Sequence, residues 1–231
     1  MIGLLEIFYA PAKVFDRVRE RGTWLPPFLG IMVLAVLASY LIVNSIGMET
    51  IIRKQMETNP QAMERMGPDG IAKAANSPFA KAAAYGAPLI FTPIVLAGLA
   101  GLFAAGLSIT GSKLRYVQVL GATCYAWWPY AALTTFMSAI IINVAPNKED
   151  LNLKNLIATN AGAFLDPVTT NKAVYALASS IDLLSFGLIA FLAYGLARVS
   201  NRSFSSCLGI VGVLWLIYVL GKVGIAAVTG R

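Results

Sequence analysis

"ASSIDLLSFGLIAFLAYGLA", residues 178–197, is apolar along almost its whole length yet carries Asp182 near its beginning. Together with the residues just before it, it forms a run over 173–197. At about 1.5 Å of rise per residue such a run can cross the roughly 30 Å hydrocarbon layer of a bilayer. A lone ionised side chain inside it costs roughly 2.5–3.5 kcal/mol at a helix centre, so the rest of the chain must supply a partner or water. Reading this stretch as a membrane crossing that contains a carboxylate therefore sets the fold class and directs attention to one residue.

The composition agrees. Of the 231 residues, 58% are hydrophobic and 13% charged, with a mean hydropathy of +0.70, outside the range of ordinary soluble domains. Apolar runs at about 25–47, 84–110, 117–143, 173–197 and 204–228 each reach crossing length. Only Asp182 and Lys222 interrupt the last two. These runs are long and apolar on all sides rather than alternating, which selects helices over barrel strands. The expected fold is all-α: a polytopic five-helix membrane bundle over 25–231, preceded by an amphipathic cytosolic or interfacial arm over 1–24, with interfacial helices in its loops. The first apolar run starts too late and is too long for a cleavable signal, so the arm is expected to be retained.

An odd number of crossings places the two ends of the chain on opposite sides. Lys and Arg outside the crossings divide eight against nine between the two sides. The eight are concentrated in the arm and two short loops, close to the crossing ends where the positive-inside bias acts most strongly. The reading is a cytosolic N-terminus and an external C-terminus, and helical crossings favour an inner (cytoplasmic) membrane over an outer one. The pI of about 9.5 fits this orientation and attraction to anionic lipid. The lipid bilayer is the expected partner, and nucleic acid is not.

In the arm, Phe8, Pro11, Phe15 and Val18 share one helical stripe, and Lys13, Asp16, Arg17, Glu20 and Arg21 another, as in a helix lying in the headgroup layer or a charged cytoplasmic helix packed on the protein's own loops. The methionine-rich segment 48–81, with turn signals at Asn59-Pro60 and "GPDG" (67–70), reads as two short amphipathic helices. The second crossing repeats small residues at Ala97, Gly101 and Ala105, a spacing that lets helix backbones approach closely in lipid, within one chain or between copies. The third holds "YAWWPYAAL" (125–133), where Pro129 removes a helix hydrogen bond among Trp127, Trp128 and Tyr130, giving a kink that either packs or opens a cavity. Leu153, Leu156, Ile157, Ala161 and Phe164 recur at helical spacing in the third loop, so an interfacial or re-entrant helix is expected there, ended by Asp166-Pro167.

For Asp182 the sequence offers Lys222. The last two crossings are joined by a short loop and must be antiparallel, and the two residues then lie at depths about three residues apart. An intramembrane Asp182–Lys222 ion pair is expected, fixing helix register or coupling to an ion. Without any histidine, Ser-His-Asp and Cys-His catalysis is excluded, and imidazole metal sites are too. Asp182 alone cannot form an aspartyl dyad, and the chain has no phosphate-binding glycine loop. No catalytic residue, cofactor or metal is expected, and the chain reads as a non-enzyme.

Four blocks resemble the Yip1 family of five-span membrane proteins, in its bacterial branch, and in the same order: "YAPAKVFDRVRERGTWLPPFLG" (9–30), "YVQVLGATCYAWWPY" (116–130), "IATNAGAFLDP" (157–167) and "SIDLLSFGLIAFLAYGLA" (180–197). The resemblance implies five crossings with a cytosolic N-terminus. Eukaryotic relatives act in early secretory traffic and bind Rab GTPases, partly through a longer N-terminal region. Here that region is about 24 residues, and GTPase binding is not expected. The function expected is a membrane-organising or partner-binding scaffold, its partner another membrane protein or a second copy of the chain. The alternative is a small-solute or ion transporter using the kinked third helix and the Asp/Lys pair.

Overall fold

Proline and glycine punctuate the chain. Pro11 stands at the first turn of a helix that closes at Gly22, whose φ of 66° is the left-handed conformation that favours glycine and whose amide returns to Val18 O at 2.8 Å. The computed structural model describes residues 2–56, 60–167 and 169–229. Its helices are α1 (Ile2–Glu6), α2 (Pro11–Arg21), α3 (Leu25–Ile46), α4 (Met48–Met56), α5 (Pro60–Asn76), α6 (Pro78–Ile109), α7 (Tyr116–Val144), α8 (Lys172–Ala178), α9 (Leu183–Ser200) and α10 (Phe204–Thr229). Among the described residues there is no β-strand, only an isolated antiparallel bridge between Asn160 and Asp182. Asn59 of the expected turn and the terminal Arg231 lie outside the described residues.

Among the described residues, four helices, α3, α6, α9 and α10, are long and apolar enough to cross a membrane. They carry exposed Val33, Ile94, Phe186, Ile217 and Leu220, as expected of helices whose outer faces meet lipid rather than water. Helix α7 is uncharged and 29 residues long. Its central Trp127-Trp128-Pro129-Tyr130 and the threonines that follow leave it less apolar than those four.

Three expectations change. The 173–197 run is not one helix: α8 ends at Ala178 and α9 begins at Leu183. The interfacial helix expected at 153–164 is replaced by short 3-10 turns at Lys148–Asp150, Leu153–Asn155 and Ala161–Phe164. There the backbone makes strand-like bonds instead, Ala161 N to Ile181 O at 3.0 Å and Leu183 N to Thr159 O at 3.2 Å, and Phe164 is 91% exposed. Helix α6 starts at Pro78, earlier than the hydropathy run at 84–110, and is continuous through Pro88 and Pro93. The expected break at "GPDG" is present as a non-helical Gly67 (φ 62°) inside α5.

The described chain divides into two compact units. One comprises Met1–Ile31, Pro93–Ala132 and Ala158–Arg231, the other Met32–Thr92 and Leu133–Ile157. In the second, α4 packs with α5, and Arg53 pairs with Glu149 at 3.6 Å. In the first, the arm is built into the core: Val14, Phe15 and Val18 of α2 are buried with Leu96, Ala100, Phe103 and Leu107 of α6 and Leu192, Ala193 and Leu196 of α9. The Phe15 ring meets Phe191 and Tyr194 edge-on and rests over Gly195, where a Cβ would stand 2.6 Å from it. Asp16 pairs with Arg198, and Arg17 with Glu6. Helix α2 thus packs on α9 rather than on the protein's loops.

Candidate functional site

The break in the fourth apolar run is built by its own polar residues. At the end of α8, Ser179 and Ser180 turn their hydroxyls back to donate to Ala176 O at 3.1 and 2.7 Å, satisfying a carbonyl that the ended helix leaves without a partner. At the start of α9, Asp182 is the N-cap, in extended conformation. Its Oδ2 accepts from the amide and the hydroxyl of Ser185, each at 2.7 Å, and its Oδ1 accepts from Thr159 Oγ1 at 2.5 Å. A carboxylate is the favoured cap at the positive end of a helix dipole.

Lys222, on α10, reaches the same turn. Its Nζ donates to Ser179 Oγ at 2.8 Å and Ser180 Oγ at 3.1 Å, and those hydroxyls pass the interaction on to Ala176 O. The ammonium thus sits at the C-terminal end of α8, where a cation is favoured. The expected Asp182–Lys222 ion pair is not formed as a direct salt bridge among the described residues. The physical reason is the break itself, which exposes two helix ends of opposite polarity, so each charge serves the end of opposite sign. Gly162 packs over this turn, where a Cβ would lie 3.1 Å from Ser179 Cα.

Asp182 is 9% exposed and stands just outside the apolar helix Leu183–Ser200.

The other sequence candidates fall elsewhere. Trp128 of α7 donates from its indole Nε1 to Leu4 O at 2.9 Å, and its ring closes on Gly30, where a Cβ would stand 2.6 Å away; it fills space. Trp127 meets Tyr130 edge-on at 6.1 Å, and α7 continues through Pro129. Ala97 and Ala105 are exposed, and Gly101 has open space above it. The small stripe faces away from this chain's core, which α6 meets with Leu96, Ala100, Phe103 and Leu107. Close approach falls instead at Gly106, against Ile210.

Sequence reasoning missed Thr159, Ser179, Ser180 and Ser185. Their signal was legible as a helix stop followed by a start, Ser-Ser-Ile-Asp-Leu-Leu-Ser over 179–185, with paired serines before an N-cap aspartate. Comparison with protein-family models, with curated proteins and with solved structures finds no match to this chain.

Proposed function

We propose that the chain is a non-enzymatic, multi-pass membrane scaffold that organises the membrane or binds a membrane partner. In this reading five helices cross, α3, α6, α7, α9 and α10, with the N-terminus cytosolic and the C-terminus outside, in a bacterial inner membrane. Helix α7 is the fifth crossing because it is uncharged and of crossing length, and the bias of Lys and Arg toward the short loops supports the orientation. The architecture is that of the Yip1 family, which the four ordered blocks resemble.

One observation carries the scaffold reading: the two charges of the last two apolar runs are spent on structure. Ion coupling needs a carboxylate that exchanges partners during a cycle. Asp182 holds three hydrogen bonds at the edge of α9, and Lys222 holds two. The embedded α2 adds to this, since it gives the chain a fixed face on the arm side for a partner to read.

Photo-crosslinking in native membranes tests the proposal. A reproducible protein adduct or a homo-oligomer is expected, and an unvarying monomer would sink it. Reporter fusions at the two ends are expected to report opposite compartments. A solute- or proton-dependent flux in proteoliposomes that Asp182→Asn abolishes, with the variant still folded, would replace the scaffold with a transporter.

A further inference from the structure

Where α9 gives way to α10, arginines gather around a cleft. Arg19 of α2, Arg198 at the end of α9 and Arg202 in the following loop line a cleft of about 390 Å³ together with Asp16, Tyr194 and Asn201. Three guanidiniums against one carboxylate leave the lining with a net charge of +2.

Two of the three guanidiniums are fixed by bonds within the protein. Asp16 fixes Arg198 to α2. Arg202 donates to Ser112 Oγ at 3.0 Å and to Thr110 O, which ties it to the loop between α6 and α7. That loop lines a second, wider opening with Lys113 and Arg115. Asn201 makes the turn in the left-handed conformation, φ 55°, so that α9 ends and α10 begins within a few residues. Arg19 is exposed and its guanidinium has no partner among the described residues. An anion entering the cleft would therefore meet two guanidiniums already oriented and one free to close over it, the arrangement suited to a phosphate oxygen cluster.

We infer that this cleft binds the headgroup phosphate of an anionic phospholipid. The position favours a lipid over a soluble anion. The cleft lies at the polar ends of two apolar helices, and Phe204, which lines it, and Leu208, one turn further along α10, are exposed apolar side chains along which acyl chains can lie. Tyr194 supplies the amphipathic ring favoured at headgroup depth. The inference requires only that α9 and α10 cross the bilayer, and is independent of the scaffold role.

The test is native mass spectrometry of the full chain released from micelles doped equally with phosphatidylglycerol and phosphatidylcholine. Preferential retention of phosphatidylglycerol is expected, by about tenfold or more for two to three basic contacts. Arg19→Gln, which breaks no bond within the protein, is expected to lower that preference by about fivefold. Arg202→Gln is expected to lower it further, and Lys172→Gln, at the first residue of α8, to leave it unchanged. Equal retention of the two lipids, or a preference indifferent to Arg19→Gln in a normally folded protein, overturns the inference. So does inorganic phosphate displacing phosphatidylglycerol at equal concentration, which would make the cleft a free-phosphate site.

Discussion

Lys222 and Asp182 stabilise the same break in the chain without forming a salt bridge: Lys222 Nζ lies 2.8 Å from Ser179 Oγ on the α8 side, and Asp182 Oδ2 lies 2.7 Å from Ser185 N on the α9 side. Opposite charges at the facing ends of two consecutive helices each meet the dipole end of opposite sign. The consequence is thermodynamic. Each charge should act through its own helix end and only weakly through the other.

A double-mutant cycle reads this directly. Asp182→Asn and Lys222→Met are expected to destabilise the detergent-solubilised protein with a coupling energy below about 0.5 kcal/mol, the level of independent sites. A coupling above about 1.5 kcal/mol would restore the ion pair.

The cap itself is the second point of test. Asp182→Ala removes the acceptor of Ser185 N and leaves Thr159 Oγ1 and Ser185 Oγ without it, so a loss of about 2–4 kcal/mol is expected. Asp182→Asn keeps a cap oxygen and should cost about 1 kcal/mol. Thermal unfolding of both variants in one detergent checks the order, and equal losses would show that the cap is not what the carboxylate provides.

Tyr175 of α8 offers a change in the other direction. Its hydroxyl is buried without a hydrogen-bond partner among the described residues. Tyr175→Phe removes an unsatisfied polar atom, and stability is expected to stay level or rise by up to about 1 kcal/mol. A loss larger than that would reveal a partner for the hydroxyl.

The docking of the arm rests on small residues. A Cβ at Gly121 would lie 2.7 Å from the backbone oxygen of Thr23 and 2.8 Å from Val18 Cγ1, and a backbone atom has little room to yield. Gly121→Ala is expected to cost about 1–3 kcal/mol through overpacking. It should also speed tryptic cleavage at Arg17, Arg19 and Arg21, which limited proteolysis will show.

Hydropathy and charge by themselves determine a great deal about this chain. Lipid and protein interior are both apolar, so a membrane helix announces itself by length and by the absence of charge, and α3, α6, α9 and α10 could be read from those alone. The caps at Ser179, Ser180 and Asp182 were also written in the sequence, but a hydropathy run reads across a cap, because one polar turn hardly changes the average of a long apolar window. Which face of α6 packs was less accessible: the Ala97–Gly101–Ala105 stripe and the Leu96–Ala100–Phe103–Leu107 face both have helical spacing, and only contact with α2 and α9 separates them.

Residue chemistry by itself fixed that this chain is helical, rich in crossing-length apolar segments, and obliged to satisfy a carboxylate and an ammonium. The long-range partners of those two groups were decided by tertiary structure alone. Thr159 and Lys222 reach the Ser179–Asp182 turn from distant parts of the chain, and a sequence records which groups need hydrogen bonds but not which distant groups the packed backbone brings within 3 Å.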